Sequence, residues 1–551
     1  MATARKGLSR RALMGAAAAV TVASSAAFTL GGKYTALIRR SRSDNKTLNR
    51  GNGAEPDTLD PQKIQSDWEN NIVGDMFMGL MTEDAAANPV PGAAESFTKS
   101  TDGLTYTFKI RAHKWSDGVA VTADDFVFSF QRILDPKTAA QYASLLYAIK
   151  NAQAVNGGKL PPAALGVRAI DASTFEMKFE YEVPYLPQLL THYTMMPVPK
   201  HVIEKHGTSW LQPRNIATNG AYTLKEWIPN DRITLVKNSH FYDAANVKIE
   251  TVNFYPTQDY AAALKRFRAG EFDMANGVPS SEIGWLRTQM PHVLHLSPFI
   301  LTQYVQFNVT KKPFDDKRVR EAISMVIDRE IIARRVMNAG EQPAYAMVPP
   351  HMPNYSGKAQ ANFRGTPMAT RIAGAKKLLE DAGYGPGNPL AFEYAYQTQT
   401  DARLIAVALQ SMWKQIGAVV DLVPADPQVH YAAIRRQDFM AAWAGWIADY
   451  RDAKDYLFLA QTSSKEMNFG RYSNPKFDSL VAQSDMTGDL SARDAMLGQA
   501  EQILLDDVAF APVFYGVSRA IISEQVKNWI DNGVNINRTR YLWVDRGIAS
   551  A

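Results

Sequence analysis

The chain has 551 residues, too many for one compact core, and its 46% hydrophobic and 21% charged residues are the balance of a globular protein of several domains. It has no cysteine, which excludes disulfides, thiolate metal sites and cysteine nucleophiles. The formal net charge of +5 falls to +1 without residues 1–27, whose basic groups are Arg5, Lys6, Arg10 and Arg11, so neither nucleic acid nor anionic lipid is expected as a partner.

The first 27 residues, "MATARKGLSRRALMGAAAAVTVASSAA", combine a basic start, the pair Arg10–Arg11 and an apolar run ending in small residues. That is the layout of an export signal of twin-arginine type, with cleavage after Ala27 and a periplasmic mature protein. The alternative is a retained membrane anchor, for which Ala12–Leu30 is short and alanine-rich. Residues 28–44 read as a tether.

"LTYTFKIR" (104–111) and "TFEMKFE" (174–180) alternate as half-buried strands do. "TADDFVFSFQRIL" (122–134) opens on a capping threonine and acids, then runs apolar at helical spacing. From about 200 the pattern changes. "NGAYTLKEW" and "RITLVKN" are strands around the turn "IPND", and "DYAAALKRFRAGEFDM" is a helix stopped by glycine and followed by a strand. "YVQFNV" (304–309) is a buried strand, and "DDKRVREAISMVIDREIIARRVM" reads as one long amphipathic helix opened by Asp315–Asp316. The helices "GAKKLLEDAGY" and "RLIAVALQSMWKQIG" alternate with the strands "LAFEYAY" and "VVDLVP", which predicts a mostly parallel α/β sheet. "FAPVFYGV" and "RAIISEQV" return to strand.

Six segments, in order, carry a resemblance: "EPDTLDPQK" (Glu55–Lys63), "KWSDGVAVTADDFVFSFQRILDP" (Lys114–Pro136), "TNGAYTLKEW" (Thr218–Trp227), "FRAGEFDM" (Phe267–Met274), "PFDDKRVREAISMVIDRE" (Pro313–Glu330) and "AGWIADY" (Ala444–Tyr450). Over about residues 45–551 the chain resembles the periplasmic oligopeptide-binding proteins of ABC importers. The resemblance implies an α/β, two-lobed periplasmic binding protein fold with an extra subdomain, hinged by two strands near 301–308 and 511–518. Lobe I would comprise 45–77, 200–303 and 519–551, the extra subdomain 78–199, and lobe II 304–518. It implies a monomeric receptor that closes on a peptide and delivers it to a membrane permease.

Asp449, behind two tryptophans and a glycine, reads from sequence alone as a helix-starting or salt-bridged acid, for instance with Arg451. The resemblance makes it the anchor for the ligand's α-amino group. It likewise implies main-chain contacts at Gly445 and Ile447, a pocket wall at Trp446, and a ligand contact from Tyr142 across the cleft. Gln65, Ala402 and Trp443 stand where relatives carry charged groups, and Pro427 replaces a pocket tryptophan. Asp67 joins Gln65 among the cleft residues, and Arg435, beside Arg436, is the candidate receiver of a ligand carboxylate. A murein peptide, opine, nickel chelate, haem or sugar is the alternative ligand on the same fold.

The acid pairs Asp124–Asp125 and Asp315–Asp316 sit at helix starts, where carboxylates suit the helix dipole, rather than at a hydrolytic site. The nine histidines are scattered, with only His292 and His295 close together, and no HExxH, phosphate loop or GxSxG elbow occurs. No catalytic residue, metal or cofactor is expected. A secreted hydrolase is the remaining competitor.

Overall fold

The computed structural model describes residues 44–547 apart from 351 and 466; the expected export signal and most of the expected tether lie outside the described residues. An 11-stranded mixed sheet runs through the molecule. In spatial order it contains Val419–Ala425, Ala391–Gln397, Ala441–Ile447, Leu294–Phe307, Phe510–Ile522, Met274–Asn276, Thr47–Gly51, Thr251–Tyr255, Arg232–Lys237 and Tyr222–Ile228. Gln342–Pro343 pairs alongside Phe510–Ile522.

The 14-residue Leu294–Phe307 and the 13-residue Phe510–Ile522 are antiparallel and cross between the two halves of the chain. At one end Phe510–Ile522 pairs Met274–Asn276, and at the other Leu294–Phe307 pairs Ala441–Ile447. Their mutual register breaks between Pro298 and Thr302. The proline has no amide hydrogen to give the ladder, so the crossing is loosest midway. Both strands are longer than the sequence suggests, and "FAPVFYGV" and "RAIISEQV" are one continuous strand. A strand that serves two cores changes its buried face along its length, which masks its period.

The core of one half gathers Val305, Phe307, Phe392, Trp413 and Phe514, and part of the other half's core gathers Phe267, Phe272, Ile283 and Leu286. The parallel pairs Ala391–Gln397 with Val419–Ala425 and with Ala441–Ile447 match the expected βα alternation. The rest of that half joins the crossing strands antiparallel. A separate four-stranded antiparallel sheet, Ala94–Lys99, Thr105–Ile110, Thr174–Lys178 and Val167–Asp171, is covered by the helix Ala123–Leu134. Phe126 and Phe130, one turn apart on that helix, lie 5.9 and 5.7 Å from Phe175.

The expected long helix over 315–337 is broken. Lys317–Met325 ends at Val326, Arg329–Ile331 restarts under an Asp328 cap, and Ile332–Met337 continues as a π-turn. The cause is Arg329. Its buried guanidinium takes the carbonyls of Ser324, Ile327, Ala344 and Pro512, so the first helix's last acceptors are used by a side chain rather than by a next turn. Asp125 and Asp316 cap their helices, as the sequence indicates.

A cleft between the halves as candidate ligand site

The strand Ala441–Ile447 carries the site. Its alanines let it pass between two crowded neighbours, and its side chains alternate between two cores. Trp443 packs 6.0 Å from Phe514, and Trp446 packs 5.5 Å from Phe458. One edge pairs continuously from Leu301↔Ile447 to Phe307↔Ala441. On the other edge Ala391–Gln397 reaches only Ala441 and Ala442, and His430 Nε2 meets the Trp443 carbonyl at 2.8 Å. Past Trp443, among the described residues, that edge carries no strand. The half-buried Gly445 and Ile447 lie on this open stretch. A β-carbon at Gly445 would come 2.8 Å from the end of the Gln303 side chain, which would have to swing aside.

Asp449 follows two residues later, with its side chain 10% exposed. Its backbone N–H donates to Asp455 Oδ2 at 2.8 Å, and Trp446 Nε1 donates to the same oxygen at 3.0 Å. Asp455 thereby fixes the turn that aims Asp449. The Asp449 carboxylate itself is poorly served. Oδ2 is buried with no hydrogen-bond partner among the described residues, and Oδ1 faces His192 Nε2 at 3.3 Å without a hydrogen bond. Arg451 is exposed and is not its partner. Burial pushes the Asp449 carboxyl well above the usual range, and burial followed by the Asp449 charge does the same to Asp455.

His192 comes from a distant part of the chain, just before the short 3-10 turn Tyr193–Met195. Its Nδ1 lies 2.7 Å from the Thr194 hydroxyl and accepts from the Thr194 amide at 3.4 Å, and Nε2 is the nitrogen aimed at Asp449. Burial lowers its pKa to about 3, so it is a neutral imidazole and not a counter-ion. Tyr142 and Tyr193 wall the same place, with ring centres 5.2 and 3.9 Å from His192. Tyr142 precedes a short 3-10 turn, Ala143–Leu146, and is 5% exposed. Tyr185 stacks on Tyr450 at 4.9 Å, closing that end. His192 and Asp455 were not found by sequence reasoning. His192 lies 257 positions from its partner, and the only local trace of Asp455 is a further acid in "ADYRDAKD".

Elsewhere Gln65 and Asp57 face the helix Pro427–Arg435. Arg435 Nη1 reaches Gln65 Oε1 at 3.4 Å, and Gln428 Nε2 reaches Asp57 Oδ1 at 3.1 Å. A cavity of about 420 Å³ opens between Gly53–Glu55 and Asp426–Gln428. Asp67 is exposed at the start of the helix Asp67–Met76. Trp443 is 3% and Ala402 4% exposed, both in the core of their half, so neither faces this space. Pro427 begins its helix and is buried. His292 and His295 pair separately with Glu524 and Asp531.

The family model for bacterial extracellular solute-binding proteins, family 5 Middle, matches residues 88–468. The chain is 38% identical over 492 residues to the periplasmic oligopeptide-binding protein OppA of Salmonella typhimurium, covering 88% of this chain and 89% of that protein. It is 36% identical over 468 residues to the probable deoxycholate-binding periplasmic protein YgiS of Escherichia coli, covering 84% and 87%. Among solved structures, Haemophilus influenzae OppA in complex with RPPGFSPFR superposes with TM-score 0.87 at 33% identity, over 91% of this chain and 99% of that one. The Escherichia coli murein tripeptide binding protein MppA gives 0.87 at 33% identity, over 91% and 99%. A structure of MppA described as the unliganded open form gives only 0.67 at the same identity, over 91% and 98%. The two-lobed architecture is shared, and the lobes here sit unlike those of the open form. The chain belongs to the bacterial extracellular solute-binding proteins of family 5.

Proposed function

We propose that this chain is an exported receptor that captures an oligopeptide between its lobes and delivers it to the permease of an ABC importer. The observation that carries this reading is Asp449. An isolated carboxylate in so dry a place costs free energy unless something supplies charge and hydrogen bonds. A peptide's α-ammonium supplies both, through the charge-assisted bonds that are strongest where water is excluded. The open edge from Ala444 to Ile447 supplies the second element. A peptide backbone laid there adds as a strand, with Gly445 and Ile447 giving main-chain partners whatever the ligand's sequence. Trp446 and Tyr142 form walls, and Arg435, with Gln65, receives the carboxyl end.

In this reading lobe I comprises 45–77, 200–303 and 519–551, the extra subdomain 78–199, and lobe II 304–518. The crossing strands Leu294–Phe307 and Phe510–Ile522 act as the hinge. The protein works as a monomer in the periplasm, its first 27 residues having been removed on export, and it has no catalytic step. A second reading keeps the fold and changes the cargo to a murein peptide or another small acid. The observation favouring it is that Gln65, Ala402 and Trp443 are uncharged, the latter two buried in the core, so the carboxylate contacts expected of a general peptide receptor are missing there.

Isothermal titration with tri- and tetrapeptides, together with mass spectrometry of whatever co-purifies, tests the assignment. The expected result is binding of free-amine peptides that falls at least a hundredfold in Asp449→Ala, in line with the roughly 2–5 kcal/mol lost when one member of a buried charged pair is truncated. Absence of peptide binding, with a different acid recovered intact, would move the assignment to the second reading. Turnover of a bound peptide would contradict both.

A further inference from the structure

A second cavity, of about 530 Å³, opens on the half whose core holds Trp413 and Phe514, and it shares no residue with the proposed peptide site. Three stretches of chain build it. Arg329–Ile331 and the π-turn Ile332–Met337 bring Glu330 and Arg334. The short strand Gln342–Pro343 leads into Tyr345. A turn in which the Thr366 amide donates to the Phe363 carbonyl at 3.0 Å places Arg364 and leads into the helix Met368–Asp381, whose first turn carries Arg371. The Ala361 amide donates to the Tyr345 carbonyl at 2.8 Å, which ties the last two stretches together.

Three arginines and one glutamate line this cavity, an excess of two positive charges. Arg334 pairs with Glu330 at 2.9 Å, one turn earlier. Neither Arg364 nor Arg371 has a carboxylate partner among the described residues. Arg364 is exposed at the rim, where its Nη1 donates to Gln360 Oε1 at 2.7 Å and its guanidinium stands 5.7 Å from the Tyr345 ring centre. Arg371 is only 7% exposed. Its Nη1 donates to the Met325 carbonyl at 3.2 Å, and its Nε is buried with no hydrogen-bond partner among the described residues. A further guanidinium, that of Arg329, stands 5.1 Å from the Tyr345 ring and 5.1 Å from the Phe363 ring, and Arg371 stands 5.9 Å from the latter. Arg329 spends its donors on carbonyls, so it adds charge without bringing an anion. Like charges gathered around two rings repel one another, and the repulsion is relieved when an anion joins them. The positive end of the helix Met368–Asp381 has the same sign, and Pro367 gives it no side-chain cap.

We propose that this cavity is a second ligand site, for a phosphate-bearing anion. A phosphate monoester carries about two negative charges at neutral pH, which matches the excess. The planar donor forks of Arg364 and Arg371 suit its oxygens pairwise, and Thr366 adds a hydroxyl at the wall. The cavity is larger than a bare phosphate, and the group that carries the phosphate lies along the Tyr345 ring. The proposal stands whatever the interlobe cleft binds.

The test is calorimetric titration of the full mature protein, in low-salt buffer without phosphate, with glycerol 3-phosphate and with succinate, a dicarboxylate of similar charge. Sedimentation with phosphatidylglycerol vesicles is the second arm. Glycerol 3-phosphate should bind saturably, about fivefold or more tightly than succinate. Its affinity should fall about fivefold or more in Arg364→Ala, an exposed position whose variant should keep the wild-type melting temperature, and in Arg371→Lys, which keeps the charge and removes the fork. It should be unchanged in Arg335→Ala, which removes an exposed arginine outside the cavity. Vesicle binding that Arg364→Ala abolishes, without binding of glycerol 3-phosphate, would assign the same chemistry to a lipid headgroup. Binding of neither phosphate source, equal affinity for succinate, or binding that survives both Arg364→Ala and Arg371→Lys would overturn the proposal.

Discussion

At the scale of single residues, the proposed anchor is a place where a buried, unpaired acid costs stability. Asp449 has a carboxyl raised well above its unfolded value by burial, and Asp455 beside it is raised too. For an acid the sign is clear: below the unfolded pKa both states are protonated and there is no penalty, and as pH rises the unfolded chain ionises while the folded site resists, so stability is lost. Asp449→Asn should therefore make the unliganded protein more stable at pH 7, by about 1 kcal/mol or more, while weakening the binding of free-amine peptides at least a hundredfold. Scanning calorimetry at pH 4 and pH 7 checks this, and the gain should shrink at the lower pH. An equal loss of stability at both values would mean that Asp449 is a structural acid. Because the ligand's ammonium holds Asp449 ionised, binding near neutral pH should also release protons. Titrations in buffers of different ionisation enthalpy would detect the release.

At the scale of elements, local chemistry made much of the chain legible. The threonine and acids before Ala123–Leu134 and the alternation in Thr105–Ile110 state their structure within a dozen residues. Elements whose ends are set from a distance were not legible. Arg329 looks like a surface residue of a long helix, yet it is fully buried and stitches that helix's end to the crossing strand through the Pro512 carbonyl. His192 looked like one of nine scattered histidines until the fold brought it to Asp449. Arg329→Met, which keeps the bulk and removes the donors, should leave several buried carbonyls unpaired. Urea denaturation should show a loss of about 3 kcal/mol or more. A loss under 1 kcal/mol would show that the carbonyls find other donors and that the helix break has another cause.

At the scale of the whole molecule, function requires two lobe arrangements close in free energy, since a ligand shifts an equilibrium only by its differential affinity for the two. One cross-lobe contact is suited to tune that balance. Asp401, at the start of Thr400–Lys414, accepts from the Ser280 hydroxyl at 2.8 Å and its amide at 3.2 Å, and pairs with Arg519 of the crossing strand at 2.8 Å. Ser280 precedes Ile283–Gln289, which packs in the core of the other half. Asp401→Asn leaves Arg519 without its anion and should disfavour closure. Small-angle scattering should then find the unliganded variant more expanded than the wild type, and its peptide affinity should fall about three- to tenfold. Unchanged scattering and affinity would mean that the contact is passive.

The account's central claim is that Asp449 anchors the amino terminus of a peptide. The most direct measurement compares one tripeptide with its N-acetylated form, which has the same backbone and side chains but no terminal charge. Wild-type protein should bind the free-amine form at least a hundredfold more tightly, and Asp449→Asn should show little difference between the two. Equal affinity of the wild type for both forms would contradict the claim.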